Sequence, residues 1–280
     1  MNEMASKPKG LARIGTSGWK YPEWRGKFYP KGLVQRLELS YFAQRIHSLE
    51  LNGPFYGLMR PSTYQNWASE VPDGFRYAVK GWKTVSHLRR LRDVEKPLSD
   101  FFASGLLELG DKLGPVLWQL PPSLRFDAPT LNDFLKQLPA TTAEAAGIAG
   151  VSAPDRSVQL RYALEPRNQT FSDPEAVAIL KEHDVAMVTS DNPDRFPIFH
   201  EVTASFAYFR LHGTPKMYYS DYSDEQLAVW AGAMTRLLQE GRDVYCYFDN
   251  TAGGRAPYNA MSLAEVLRGE MPAQETLPEM

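Results

Sequence analysis

The amino-acid sequence predicts a single (β/α)8 TIM barrel, an α/β fold, and three observations lead to it. The chain has 280 residues, slightly more than the roughly 250 that are typical of such barrels. Eight short β-rich segments recur along the chain, and amphipathic helical segments lie between most of them. An open doubly wound sheet normally carries a phosphate-binding loop after its first strand, and the sequence has neither a dinucleotide fingerprint nor a P-loop there. A closed parallel barrel accounts for all three observations.

The eight predicted strands are short and end in polar or turn residues. In chain order they cover Ala12–Thr16, His47–Asn52, Phe75–Lys80, Pro115–Leu120, Val158–Glu165, Val185–Thr189, Phe206–His212 and Val244–Asp249. Because helical segments separate them, neighbouring strands are expected to pair in parallel, with the helices covering the sheet.

Helix start signals support the helical segments between the strands. Four such signals precede apolar residues at helical spacing: Pro61-Ser62-Thr63, Pro97-Leu98-Ser99-Asp100, Ser172-Asp173-Pro174-Glu175 and Ser223-Asp224-Glu225. Between strands six and seven, Asn192 to Ala204 carries two prolines and no helical periodicity, which predicts an irregular connection. We interpret the Ala- and Thr-rich segment Pro139–Pro154 as a flexible insertion before strand five.

One domain is expected. Residues 11–270 form the predicted barrel, residues 1–10 a flexible N-terminus, and residues 271–280 a loose tail with two prolines and two glutamates.

Composition and charge exclude several classes of protein. Lys and Arg number 31 against 33 Asp and Glu, and the formal net charge of −2 excludes a generally basic, histone-like nucleic-acid coat. The single cysteine, Cys246, cannot form an internal disulfide, which favours a reducing compartment. Residues 1–10 carry no apolar leader core, and no apolar run reaches the roughly 18 residues that span a bilayer. We therefore expect a cytoplasmic protein without a membrane partner.

Polar side chains gather at the carboxyl ends of the predicted strands and in the loops that follow, which is the functional face of such barrels. Side chains two apart on a strand point the same way, so Glu50 with Asn52 and Arg210 with His212 should each act as a pair. The candidate catalytic residues are Glu165, Glu50 and His212. The candidate substrate-binding residues are Lys80, Arg167, Arg210, Asn52, Gln119, Asp191, Asn250, Trp19, Tyr56 and His87.

The residue types at this face predict an anionic or polyhydroxylated small molecule, such as a sugar phosphate, as ligand. Two carboxylates from different strands can serve as acid and base in a hydrolase or isomerase, although Glu165 can equally form a structural ion pair with Arg167. Lys80 can be an ion-pair partner, an anion ligand or a Schiff-base amine, and anion binding is the interpretation that we favour.

The sequence assigns no metal ligands. Its five histidines, at positions 47, 87, 183, 200 and 212, show no HxH or HExxH spacing. Without a nucleotide motif, the cofactor stays unknown, and a carboxylate-bound Mg²⁺ or Mn²⁺ stays open.

Several motifs resemble the YecE-like family of uncharacterised TIM-barrel proteins. They include Ile14-Gly15-Thr16-Ser17-Gly18-Trp19, Leu49-Glu50-Leu51-Asn52, Ala78-Val79-Lys80, Gln119-Leu120-Pro121-Pro122 and Arg210-Leu211-His212-Gly213, and the resemblance runs from residue 13 to about residue 267. It implies a TIM barrel with a shared polar site and implies no particular reaction. The chain departs from the family pattern at Asn168 and Arg255, where relatives often have histidine.

Two alternatives to an enzyme stay open. One is an endonuclease-like, nucleic-acid-binding barrel that uses loop aromatics and the third loop, which contains Arg89, Arg90 and Arg92. The other is a barrel that binds a ligand without turnover.

Overall fold

The structure is a computed structural model that describes residues 10–193 and 195–269. The predicted C-terminal tail lies wholly outside the described residues, and so does the predicted flexible N-terminus except Gly10.

Parallel strands form one continuous sheet that closes into a barrel. The described strands are β1 (Ala12–Ser17), β2 (Ser48–Leu51), β3 (Arg76–Lys80), β4 (Leu113–Gln119), β5 (Tyr162–Glu165), β6 (Val185–Met187), β7 (Thr189–Asp191), β8 (Phe206–Leu211) and β9 (Asp243–Phe248). They are ordered β6-β5-β4-β3-β2-β1-β9-β8-β7, with every pairing parallel.

The predicted sixth strand closes this ring. It is present as β6, which pairs with β5, and β7, which pairs with β8, and only Val188 separates the two. The Val188 amide donates to the Leu164 carbonyl at 2.9 Å, so the strand continues the hydrogen-bonded contact with β5. The nine segments therefore correspond to the eight staves of the predicted (β/α)8 barrel.

Helices surround the barrel. They are α1 (Glu38–Ala43), α2 (Gly53–Tyr56), α3 (Pro61–Ser69), α4 (Glu95–Ala103), α5 (Ala128–Lys136), α6 (Thr142–Ala149), α7 (Pro174–Glu182), α8 (Asp224–Gln239) and α9 (Ala256–Arg268). Ser223 and Gln226 form a capping box at the start of α8, as the sequence signal indicates. In the described part of the chain, no helix has the length and apolar character to cross a membrane.

The prediction of a flexible insertion over Pro139–Pro154 is wrong, because α6 lies there. The Thr141 side chain caps this helix by accepting from the Glu144 amide, and Gly150 ends it with a left-handed φ of 65°. Ala145 and Ala146 are buried on its inner face. Small residues carry little hydrophobic contrast, so the helical periodicity is weak in the sequence although alanine is the best helix former.

The irregular connection between the sixth and seventh predicted strands is confirmed. Described residues between 192 and 205 contain no helix or strand. Thr203 ties the end of this connection to the barrel, since its hydroxyl donates to the Val185 carbonyl at 2.6 Å and accepts from the Met187 amide at 2.7 Å.

The barrel interior is filled in layers. Phe206, Tyr208, Tyr245 and Tyr247 pack with small aliphatic residues in the lower and middle layers. Because side chains alternate along a strand, Arg210 follows Tyr208 on the inner face of β8, at the carboxyl end of the barrel. This packing makes the barrel a filled core that carries a polar layer at its mouth.

Candidate functional site

Arg210 stands at the centre of the mouth and is fully buried. Its guanidinium donates to both carboxylate oxygens of Glu50, at 2.8 and 3.1 Å, and to Glu165 Oε2 at 2.9 Å. Further hydrogen bonds reach Ser17 Oγ and Asp249 Oδ2, each at 3.2 Å. Arg210 therefore joins side chains from four strands or strand ends and has little capacity left for a ligand.

Glu50 is saturated with hydrogen bonds. Besides Arg210, the hydroxyls of Ser17 and Tyr208 donate to it at 2.6 and 2.7 Å. Burial alone would raise the pKa of Glu50, but the Arg210 guanidinium and its hydrogen bonds outweigh burial and hold that pKa below its usual range. A carboxylate that stays ionised and fully engaged anchors Arg210, and this geometry does not support the predicted acid/base role of Glu50.

Glu165 forms a double ion pair. Its Oε1 accepts from Arg167 Nε and Nη2 at 3.1 and 2.9 Å, and its Oε2 accepts from Arg210. Burial would raise the pKa of Glu165, yet Arg167 and Arg210 outweigh burial and lower that pKa far below its usual range. Glu165 is thus ionised at neutral pH and cannot donate a proton as a general acid, contrary to one of its two predicted roles.

His212 is a buried neutral imidazole. Its Nδ1 lies 3.0 Å from the Asp191 backbone carbonyl, which can only accept, so this contact assigns the proton to Nδ1. Arg210 then donates to His212 Nε2 at 3.2 Å. Burial and the nearby Arg210 charge lower the pKa of His212. The Nε2 lone pair faces a cation, which weakens His212 as a general base.

Lys80 differs from the other cations of the mouth. Its side chain is 8% exposed, and Nζ lies 4.3 Å from the centre of the Phe55 ring. Among the described residues, its ammonium has no hydrogen-bonding or ion-pair partner. Burial, assisted by the Arg210 charge, lowers the pKa of Lys80 to about 8. Lys80 is therefore an uncommitted amine near its titration point.

His87 lies beside Lys80 on the loop that follows β3. Its ring packs edge-on against Phe55 at 5.1 Å, and its Nδ1 bonds Ser86 Oγ at 2.9 Å. Burial and the Lys80 charge lower the pKa of His87 to about 4, so the imidazole is neutral. Gln119, on the inner face of β4, is buried and makes no side-chain hydrogen bond to a described residue. His87 Nε2 and the Gln119 side chain are therefore hydrogen-bonding groups at the carboxyl ends of β3 and β4 that have no described partner.

Two of the predicted binding residues brace loops. Asp191 accepts from the hydroxyls of Thr214 and Tyr222, and the Asn250 amide donates to Ser220 O and Asn259 Oδ1 at 2.8 Å. The structure commits Asp191 to the loop that follows β8, and Asn250 to that loop and to α9.

Three further predicted residues line the mouth at different depths. Asn52 donates to Ser17 Oγ at 2.7 Å and leaves its buried Oδ1 without a described partner. Trp19 packs edge-on against Trp67, and its indole N–H is buried without a described partner. Tyr56 is 69% exposed and packs edge-on against Phe55 at 5.1 Å. Asn52 and Trp19 can still offer one hydrogen bond each toward a ligand.

Sequence reasoning missed Tyr208 and Phe55. Tyr208 holds Glu50 from the layer below, and Phe55 carries both Lys80 and His87. Tyr208 could have been predicted from the alternation of side chains along β8, because it lies two residues before Arg210 and so on the same face. Phe55 lies in α2, directly after β2, and its contact with Lys80 has no local signal in the sequence.

A metal centre finds no support in the described residues. They contain no group of three or more His, Cys, Asp or Glu side chains that could hold a metal ion. The carboxylate oxygens of Glu50 and Glu165 that face the mouth are engaged by arginines.

A second, basic feature lies on the same face. A groove of about 500 Å³, which we call the arginine groove, is formed by the loops after β3 and β4 and includes Arg89, Arg90, Arg92 and Arg125. Arg90 is held by Ser123, whose hydroxyl and carbonyl accept from it at 3.1 and 2.8 Å. The backbone of Arg90 has a left-handed φ of 53°, and such strain clusters at functional sites.

Comparison with known proteins identifies the family. The model of "Protein of unknown function DUF72" matches residues 13–280. The chain belongs to the DUF72 family. It is similar to the UPF0759 protein YunF of Bacillus subtilis, with 22% identity covering 91% of this chain and 94% of that protein. The UPF0759 protein YecE of Escherichia coli K12 is 23% identical over 95% of this chain and 96% of its own length. The YecE-like resemblance is thereby confirmed.

Solved structures of DUF72 proteins share the fold. A DUF72 family protein from Thermotoga maritima has a TM-score of 0.76 at 24% identity, covering 92% of this chain and 99% of that one. One from Enterococcus faecalis has a TM-score of 0.72 at 20% identity, covering 96% and 99%. At these identities the likeness supports the DUF72 barrel as a fold and carries no reaction with it.

Proposed function

We propose that this DUF72 protein is an enzyme that binds a small anionic or polyhydroxylated molecule at the mouth of its barrel. The observation that carries the proposal is Lys80, a residue that is only 8% exposed and whose ammonium has no hydrogen-bonding or ion-pair partner among the described residues. Transfer of a charge out of water is costly, so buried charges in proteins are normally paired. A carboxylate or phosphate on a ligand would supply the missing partner.

Arg167 is the second cation available to such a ligand. Its Nε and Nη2 donate to Glu165, while Nη1 makes no hydrogen bond to a described residue. The guanidinium also lies 4.5 Å from the centre of the Phe196 ring, which holds its plane in place. Arg210, by contrast, is assigned a positioning role, since its donors are engaged by carboxylates of the protein.

These contacts suggest a role for each residue of the site. Lys80 and Arg167 bind the anion, Glu165 orients Arg167, and the Arg210–Glu50 pair fixes the floor of the site. Asn52, Gln119 and Trp19 have free hydrogen-bonding atoms for hydroxyl groups of the ligand. Neutral His87, whose Nε2 has no described hydrogen bond, is the group that can exchange protons in a hydrolase or isomerase reaction.

A thermal-shift screen of sugar phosphates and related small anions tests this proposal. A hit should stabilise the native chain, lose that stabilisation in Lys80→Ala, and lose part of it in Glu165→Gln. Lys96→Ala is the matched control, because Lys96 is an exposed lysine paired with Asp100. Stabilisation that survives both mouth substitutions would place the ligand elsewhere. NMR of a hit incubated with the protein then separates turnover from binding without turnover.

The arginine groove favours a second candidate function, the binding of nucleic acid. Arg89 and Arg125 line the groove, and their guanidinium groups have no hydrogen-bonding or ion-pair partner among the described residues. Phosphate contacts make binding depend on salt, so affinity for duplex or abasic DNA should fall steeply between about 50 and 200 mM salt. Arg89→Ala should reduce the salt slope by about 1. Absence of binding at low ionic strength would refute this candidate.

A further inference from the structure

We infer that Lys80 is a nucleophile that forms an imine with the carbonyl carbon of an anionic aldehyde or ketone. The inference rests on the proposed function, because Arg167 and the protonated form of Lys80 draw the anion to the mouth. Arg167 then holds the anion while the free-amine form of Lys80 attacks the carbonyl. It adds a substrate class, a carbonyl compound bearing a carboxylate or phosphate, and a covalent role for one residue.

The first argument is the isolation of Lys80 from the carboxylates around it. Glu50 and Glu165 both influence Lys80 electrostatically, yet neither lies within 4.0 Å of it as an ion pair. Their oxygens accept instead from Arg210 and Arg167. Lys80 therefore has no carboxylate partner, because the oxygens of Glu50 and Glu165 are engaged by the two arginines.

The second argument is the environment of the amine. The side chain ends over the Phe55 ring at the carboxyl end of β3, where ligands of such barrels bind. With a pKa of about 8, roughly a tenth of Lys80 is free amine at pH 7. A lysine with an ordinary pKa of about 10.4 has less than about one part in a thousand. Burial beside another cation is a recognised way to activate a lysine for covalent catalysis.

The chemical step balances without an oxidant or reductant. The Nζ lone pair forms a bond to the carbonyl carbon, and the carbonyl π electrons move to oxygen, which gains a proton as nitrogen loses one. This carbinolamine loses its hydroxyl group as water when a proton is delivered to that oxygen, and the C=N bond forms. His87, neutral and packed on the same Phe55 ring, has an Nε2 without a described hydrogen bond and is assigned as the proton relay, directly or through water. Hydrolysis of the imine restores the amine.

Reductive trapping tests the imine directly. The full chain is incubated with glyoxylate, the smallest anionic aldehyde, and cyanoborohydride, and labelled lysines are located by peptide mass spectrometry. Lys80 should be labelled at least about tenfold faster than exposed Lys96 at pH 7, because its free-amine fraction is far larger. The fixed adduct adds the mass of the probe less one oxygen atom. Labelling of Lys80 no faster than that of Lys96 would overturn the inference.

Two controls separate this inference from the proposed function. In Lys80→Met, labelling at Lys96 should be unchanged while the fast adduct disappears. Glycolate has the same carboxylate without the carbonyl, and its stabilisation of the native chain reports anion binding alone. If glycolate stabilises the native chain but not Lys80→Met, and glyoxylate leaves Lys80 unlabelled, the imine is wrong and the anion site stands. Failure of both measurements would remove the anion site together with the imine.

Discussion

Removal of the Arg210 guanidinium is the sharpest test of how the mouth is held together. The substitution Arg210→Met keeps much of the side-chain length and removes the hydrogen bonds to Glu50, Glu165 and Asp249. Glu50 and Glu165 are almost completely buried, so the variant leaves two carboxylates in the barrel interior without their central cation.

The structure gives the size and the sign of the effect. Breaking one buried ion pair by removing a single partner costs about 3–5 kcal/mol. In the variant Glu50 loses its ion-pair partner, whereas Glu165 keeps Arg167. In the native chain, the pKa values of Glu50 and Glu165 are lowered. Arg210 therefore stabilises the fold at pH values above the ordinary carboxylate pKa. This stabilisation is lost as the pH falls through the lowered pKa values. In the variant, burial raises the pKa of Glu50, whereas Arg167 stays beside Glu165 and still lowers its pKa. Protonation of Glu50 then relieves the buried charge as the pH falls. The difference between the two proteins should therefore be largest near pH 7 and shrink toward pH 4.

Thermal unfolding followed by circular dichroism measures this difference at pH 7 and pH 5. We expect the midpoint of Arg210→Met to lie roughly 6–20 °C below that of the native chain at pH 7, with a smaller gap at pH 5. Arg92→Met is the matched control, because the Arg92–Asp127 pair is exposed and spans 3.7 Å, and its loss should cost about 0–1 kcal/mol. A native-like midpoint for Arg210→Met, or a gap independent of pH, would refute the reasoning.

Three further substitutions probe the site and the fold by thermal unfolding. Lys80→Met should raise the midpoint at pH 7 by roughly 2–6 °C, since a buried, unpaired ammonium is removed. Because the pKa of Lys80 is lowered to about 8, this gain should decline as the pH rises above 8, and a gain that grows with pH would contradict it. Ser223→Ala should cost about 0.5–2 kcal/mol by removing the cap of α8, and an unchanged midpoint would show that the cap is dispensable. Gly15→Ala would place a Cβ 2.1 Å from Ser48 O and should lower the free energy of unfolding by at least about 1–3 kcal/mol. Gly57→Ala is the control, because its Cβ would meet open space. Equal effects of the two substitutions would contradict the argument.

The sequence predicted more of the barrel than of its interior. Each strand and most helices have local signals, such as period-two apolar runs and capping residues, and these signals led to eight staves and to the irregular connection before β8. The missed helix, α6, is built from alanine and threonine, whose small side chains give little contrast between its two faces. The break at Val188 within the sixth stave likewise has no local mark.

The sequence predicted which residues lie at the candidate site, but not which hydrogen bonds and ion pairs join them. Carboxyl ends of barrel strands converge, so Glu50, Lys80, Glu165, Arg210 and His212 could be named from strand ends alone. Their chemical roles depend on which donor meets which acceptor, and residues far apart in the chain decide that, as the Arg210–Glu50 contact across 160 positions shows.

The sequence by itself determined the family, the barrel and the polar character of its mouth, because these follow from periodicity, strand ends and motifs that are local along the chain. Only the tertiary structure decided how the charges at the mouth are shared. Arg210 and Arg167 engage the two carboxylates, His212 is turned toward Arg210, and Lys80 is left without a described partner on the Phe55 ring. The physical reason is that a hydrogen bond or an ion pair is set by distances of a few ångströms, which the folded barrel creates between strands that the chain keeps apart.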